Sequence, residues 1–219
     1  MSDSHPTLLP IDPNTRLQKD ENTLEVSEHR LYQSIIGSCM YLVTCTRPDL
    51  AYPVSYLSQF LAGPSKTHLA AAKRLLRYIK GTKDMTLRFP FSDSTEITLE
   101  GFSDSDYGNC LDTRQSISGN LFRLNNSTIC WRSKKQKSVA TSTCEAEYMA
   151  LALATKQWIW LTNALEELNV SVTNTTMFCD NTGAIDIAYN HKIGDRSKHI
   201  DVAYHLVREN VESGRITLL

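Results

Sequence analysis

Three short runs, Ile97–Ser103 (ITLEGFS), Ser116–Leu124 (SISGNLFRL) and Ser127–Ser133 (STICWRS), decide the fold of this 219-residue chain. Each has the length of a strand and is bounded by Gly, Asn, Asp or Ser. Only Asn125-Asn126 separates the last two, and asparagine tolerates the left-handed backbone that a two-residue hairpin demands. Downstream, Leu151, Ala154, Trp158, Leu161, Leu165 and Leu168 recur at three- and four-residue steps, which predicts one long helix able to cover a sheet face. TTMFCD (175–180) then reads as a fourth strand and 181–190 as helical. A further helix from Ile200 to Ser213 is capped by Gly214, and RITLL (215–219) forms the last strand. Three strands, a helix, a strand, helices and a strand make a mixed α/β layer with parallel crossovers only in its second half.

Upstream the text changes. Residues 1–30 are rich in Asp, Glu, Asn, Thr and Pro without sustained periodicity, an extended polar leader with no fold of its own. From Leu31 to Gly81 the pattern is helical: LYQSIIGSCMYLV, then a helix opened by Pro48, then a third after Gly63-Pro64-Ser65. A strand is predicted at Met85–Phe89. In the third helix Leu69, Ala72, Leu76 and Ile79 form one apolar stripe, while Lys73, Arg74, Arg77 and Lys80 occupy other faces, and no acidic residue occurs between Ser65 and Lys83. Such a helix is either a solvated amphipathic element or a track for nucleic-acid phosphates.

The composition is that of an ordinary globular protein: 41% hydrophobic, 21% charged, net charge −1. No apolar run reaches the roughly 18–20 residues of a membrane span, and the first ten residues lack the basic and apolar regions of a signal peptide. The expectation is a soluble intracellular protein whose six cysteines are reduced and mostly buried. The absence of HExxH and of any CxxC argues against a metalloprotease or a zinc ribbon.

Three acids fall where structure alone explains them poorly. Asp104 ends the first strand on the face of Phe102, and Asp180 ends the fourth on the face of Phe178. Glu147 lies one turn before Leu151, on the buried stripe of the long helix. Glu145 differs, because Ser142-Thr143-Cys144-Glu145 is a capping box that accounts for it. Each acid alone reads most simply as an exposed strand end or cap. Jointly, if the first and fourth strands are neighbours, three carboxylates converge at one sheet edge and call for a cation between them. Oxygen ligands with no nearby Cys or His pair point to Mg²⁺ or Mn²⁺ rather than zinc. Two such ions about 4 Å apart would suit in-line attack on a phosphodiester.

The segments LYQSIIGSCMYLVTCTRPDLAYPVSYLSQFLAGPSKTHLAAAKRLLRYIKGT, GFSDSDYGNCLDTRQSISGNLF, WRSKKQKSVATSTCEAEYMALA, FCDNTGAI and RSKHIDVAYHLVRE resemble the C-terminal part of the Pol polyprotein of copia-type LTR retrotransposons, from about Pro10 to the end. The resemblance implies that residues 31–90 descend from a reverse-transcriptase thumb and connection. It implies that 95–219 is a ribonuclease H domain with a five-stranded mixed sheet, cutting the RNA strand of an RNA–DNA hybrid. On that resemblance GFSDSD supplies a catalytic, metal-holding aspartate as Asp104, TCEAEYMA a glutamate as Glu147 and FCDNTGA an aspartate as Asp180. Asp106 is the less favoured member of its pair. The partners implied are an RNA–DNA hybrid or other nucleic acid, and the remainder of a Pol protein.

The departures are specific. Nothing resembles the polymerase palm with its paired aspartates. The ribonuclease H pattern also carries a fourth aspartate on a helix after the last strand, whereas this sequence stops at RITLL, so activity weakened by truncation is expected. Asp201, in KHIDVAYH, is a candidate replacement ligand, and equally a helix-start residue capping amides. A module that grips nucleic acid without cutting it is the competing function.

Overall fold

The computed structural model describes residues 3–90, 97–190 and 198–219, with the side chains of Asn174 and of residues 198–203 outside the described set. The chain divides into two compact units, Met1–Leu87 with Cys110–Thr113, and Arg88–Asn109 with Arg114–Leu219. No helix among the described residues is long and apolar enough to cross a membrane. All six cysteines are free thiols; Cys39, Cys110 and Cys179 are buried and Cys45 is exposed.

The first unit is helical. Helix α1 (Val26–Cys45) buries Tyr32, Ile35, Ile36 and Cys39 along one face. After a 3-10 turn at Pro48–Leu50 come α2 (Ala51–Ser58) and α3 (Lys66–Gly81). Ser65 starts α3 through a capping box in which His68 replaces the usual glutamate: the Ser65 N–H donates to His68 Nδ1 at 2.9 Å. The His68 ring also stacks on Phe60, centroids 4.0 Å apart.

The buried face of α3 consists of His68, Leu69, Ala72, Leu75 and Tyr78, rotated from the stripe ending in Leu76 and Ile79 that spacing suggests. The apolar arc of this helix is broad, and the two ring residues settle its orientation. Tyr78 Oη donates to Asp49 at 2.9 Å, and Asp49 receives two further bonds from Arg47 at 2.7 and 2.9 Å.

The leader differs from expectation at its C-terminal end, since α1 begins at Val26. Residues 3–25 form no helix or strand but are anchored. Leu17 and Leu24 are buried, the backbone of Leu17 bonds twice to Tyr56 Oη (2.8 and 3.2 Å), and the Leu24 N–H donates to Pro64 O at 2.8 Å. Met85–Phe89 is not a strand. Its alternation has no partner edge among the described residues, and an unpaired ladder satisfies no backbone groups.

The second unit is a five-stranded sheet with helices packed on it. Strands β1 (Ile97–Asp106), β2 (Ile117–Leu124) and β3 (Ser127–Lys135) form an antiparallel meander. Asn125 and Asn126 have φ of 46° and 65°, the two-residue turn that matches strand twist. Asn125 also accepts the Thr98 N–H at 2.8 Å, tying the hairpin to β1. The long helix α4 (Thr143–Glu167) carries the chain across to β4 (Val172–Cys179), parallel to β1. Helices α5 (Thr182–Tyr189) and α6 (Lys198–Glu212) then lead to β5 (Thr217–Leu218), parallel to β4. The strand order β3-β2-β1-β4-β5 with helices between the parallel strands is a ribonuclease H-like arrangement.

Leu99, Phe122, Leu151, Trp158, Met177, Val207, Ile216 and Leu218 pack into one core, joining the sheet to α4 and α6. Gly101 permits this on β1, because a Cβ there would come within 3.0 Å of the Phe122 ring. The α4 stripe is buried from Leu151 to Leu161, whereas Leu168 is 72% exposed. It is the C-cap residue, and the chain reverses at Asn169 (φ 57°), so the end of the stripe lies on a turn.

Candidate metal centre

Strand register brings two of the acids together. Phe102 pairs with Phe178 and Ser103 with Cys179 on adjacent parallel strands, and the two phenyl rings stack at 4.9 Å. The next position on each strand axis is an aspartate, Asp104 and Asp180. Immediately after Asp180 the chain turns into α5, for which Asn181 is the N-cap, its Oδ1 accepting the Ala184 N–H at 3.0 Å.

The third acid comes from the first turns of α4. Ser142 caps the helix, its Oγ accepting the Glu145 N–H at 3.2 Å. The Glu145 carboxylate bonds to the backbone N–H (2.7 Å) and hydroxyl of Thr141, one residue further back than the usual capping box. Glu147 is only 7% exposed. Its Oε1 accepts the Ser105 N–H at 3.1 Å, while its Oε2 is buried with no hydrogen-bond partner.

Oxygen atoms of Asp104, Glu147 and Asp180 all lie within 4.8 Å of one another, with Asp104 and Asp180 exposed. At an effective dielectric near 20, unit charges at that separation repel by about 3 kcal/mol a pair. Burial, then the charges of Asp104 and Asp180, raise the Glu147 carboxyl from its ordinary 4.5 to about 7, opposed by the Ser105 N–H. Either a proton or a cation must relieve this crowding. The donors are carboxylate oxygens alone, and Glu147 holds one oxygen buried and unpartnered, a set that suits a hard divalent cation.

Asp106 is outside the group and accepts a hydrogen bond from the Asn109 amide. Glu145 is outside it as well, its carboxylate turned to Thr141. Asp201 belongs to α6, but its side chain lies outside the described residues. On α3, Lys73 is exposed and Arg77 half-buried. Arg74 lies 4.0 Å from Asp12, and Lys80 Nζ donates to Ser4 O at 3.0 Å, so the leader occupies two of the four basic residues.

Sequence reasoning missed Gln136. This residue is 7% exposed, and its amide nitrogen donates to Ser118 Oγ and Ala146 O (both 2.9 Å) and to Ser105 Oγ at 3.4 Å. It thereby joins β1, β2 and α4 next to Glu147. Its one sequence signal is a neutral amide interrupting the run Lys134-Lys135-Gln136-Lys137.

The chain matches no protein-family profile. It is 39% identical over 224 residues to the retrovirus-related Pol polyprotein from transposon TNT 1-94 of Nicotiana tabacum, covering all of this chain and 17% of that protein. To the Pol polyprotein from transposon RE1 of Arabidopsis thaliana it is 34% identical over 220 residues, all of this chain and 15% of that protein. The chain belongs to the Pol polyproteins of copia-type retrotransposons. It spans about one sixth of the length of these Pol relatives. Part of the same Pol sequence also matches the secreted RxLR effector protein 161 of Plasmopara viticola, 47% identical over 131 residues, 60% of this chain and 91% of that protein.

Proposed function

We propose that the second unit is a ribonuclease H that hydrolyses the RNA strand of RNA–DNA hybrids with Mg²⁺ or Mn²⁺. The observation that carries this reading is the convergence of carboxylate oxygens from Asp104, Glu147 and Asp180 within 4.8 Å of one another, on a glutamate that keeps one oxygen buried and unpartnered. Divalent ions bound there would supply an activated water and charge stabilisation for a leaving oxygen.

The chain's own residues have separable tasks. Asp104 within β1 and Asp180 just after β4 are both exposed, and they offer oxygens on the side open to a substrate. Glu147 is fixed from behind by the Ser105 N–H and keeps its second oxygen for the ion. Gln136 positions the start of α4 through Ala146 O, adjacent to Glu147. In the first unit, Lys73, Arg74, Arg77 and Lys80 of α3 are assigned to phosphate contacts, for which Arg74 and Lys80 would have to exchange Asp12 and Ser4 O for phosphate.

The test is cleavage of an end-labelled RNA–DNA hybrid, with RNA–RNA and DNA–DNA duplexes as controls. The expected result is loss of the RNA strand of the hybrid alone, dependent on Mg²⁺ or Mn²⁺ and abolished by Asp104→Asn or Glu147→Gln. Binding of the hybrid without metal-dependent cleavage would assign the chain to the non-cutting alternative.

A further inference from the structure

On the second unit positive charge gathers at the end of β3. At the end of β3, Lys134 and Lys135 pair with Ser118 and Ile117 of β2, and the chain continues through Gln136 to Lys137. With Lys156 of α4 these lysines line an open groove of about 460 Å³, and no carboxylate is among its described lining residues. Lys134, Lys137 and Lys156 are exposed and form no ion pair with a described residue.

Like charges collected around one groove repel, and on a chain of net charge −1 they are no consequence of overall composition. A polyanion would offset that repulsion, releasing counterions as it binds. The position of the groove narrows the choice. Gln136, in its lining, donates to Ser105 Oγ and Ala146 O, and the Ser105 N–H bonds Glu147, so hydrogen bonds connect the groove wall to the glutamate of the carboxylate centre. Ammonium groups act as point charges on phosphate oxygens, and Met149 in the lining offers apolar surface to a sugar.

We infer that this lysine groove holds the phosphodiester backbone of a nucleic-acid strand running on from the carboxylate centre. This rests on the proposed nuclease reading for the direction of the strand, but the groove's affinity is measurable without any cleavage. The contacts are to backbone, so binding is indifferent to base sequence.

The experiment uses the full chain and a fluorescein-labelled RNA–DNA hybrid, with anisotropy recorded in EDTA over a range of KCl. Replacing Lys134, Lys137 and Lys156 with Gln should weaken binding at least tenfold. The log–log salt slope should fall by about 0.9 for each lost phosphate contact, up to about 2.7, taking the value for B-form DNA. The melting temperature should be unchanged, and the corresponding triple Arg variant should restore the slope. Removal of three exposed charges elsewhere (Lys19, Lys83 and Arg88 to Gln) should leave most of the slope in place. The proposal is overturned if the groove variant binds as the parent does, if the distant variant loses as much, if the parent does not bind the hybrid, or if polyglutamate displaces the hybrid as well as a second nucleic acid does. If the parent binds through the groove yet leaves the hybrid intact in Mg²⁺ and Mn²⁺, the groove stands and the nuclease reading falls.

Discussion

Glu147→Gln should stabilise the metal-free protein at pH 8 and leave it almost unchanged at pH 4. A carboxyl raised from 4.5 to about 7 binds its proton more tightly in the folded chain than in the unfolded one. Its favourable contribution is therefore complete below pH 4.5 and is lost as pH climbs through 7. At about 1.4 kcal/mol per pH unit the full effect is roughly 3 kcal/mol. Asp104 and Asp180 are exposed and screened by water, so a gain of about 1–3 kcal/mol is expected for the variant, or about 3–9 °C in a domain of this size. Gln suits the site sterically, its oxygen keeping the Ser105 N–H and its amide turning to the two aspartates. The assay is a thermal melt in EDTA at both pH values, then in millimolar Mn²⁺. Added metal should raise the melting temperature of the parent at pH 8 and have much less effect on the variant, because a ligand stabilises only through the site it occupies. A variant no more stable than the parent at pH 8 without metal would refute the crowding of the three carboxylates.

Further outcomes concern the frame around the centre. Gln136→Leu should cost about 1–3 kcal/mol in urea unfolding, since Ser118 and Ala146 lose a buried donor, and should also reduce the metal-induced rise in melting temperature by freeing the start of α4. Trp158→Ala should cost about 3–5 kcal/mol in the same assay, because Trp158 is 1% exposed at the junction of α4 with Phe122. In the first unit, Arg47→Ala should destabilise by about 3–5 kcal/mol, as it strips Asp49 of two short bonds and Thr82 of another at 2.6 Å; a loss under 1 kcal/mol would show that water replaces the guanidinium.

The sheet and the acids were readable from sequence because their signals are local. Asn125-Asn126 marks the hairpin, the α4 stripe marks its buried face, and alternation along each strand puts Asp104 with Phe102 and Asp180 with Phe178. Strand adjacency is a longer-range matter, and the parallel pairing of β1 with β4 closes the cluster. Where sequence misled, tertiary partners had decided the outcome. Met85–Phe89 alternates like a strand but finds no edge among the described residues, and α3 turns toward Leu75 and Tyr78, where Tyr78 bonds Asp49. Leu168 continues a stripe on paper but sits where the helix ends. Gln136 left only a neutral amide within a lysine run as its signal, because its three acceptors come from three separate elements.

The most direct test of the metal centre is the anomalous scattering of Mn²⁺ in crystals of the full chain. The account predicts a peak bounded by Asp104, Glu147 and Asp180, at metal–oxygen distances of about 2.0–2.6 Å, that disappears in the Glu147→Gln protein. Manganese bound elsewhere, or the three carboxylates splayed apart with Glu147 turned to solvent, would contradict it.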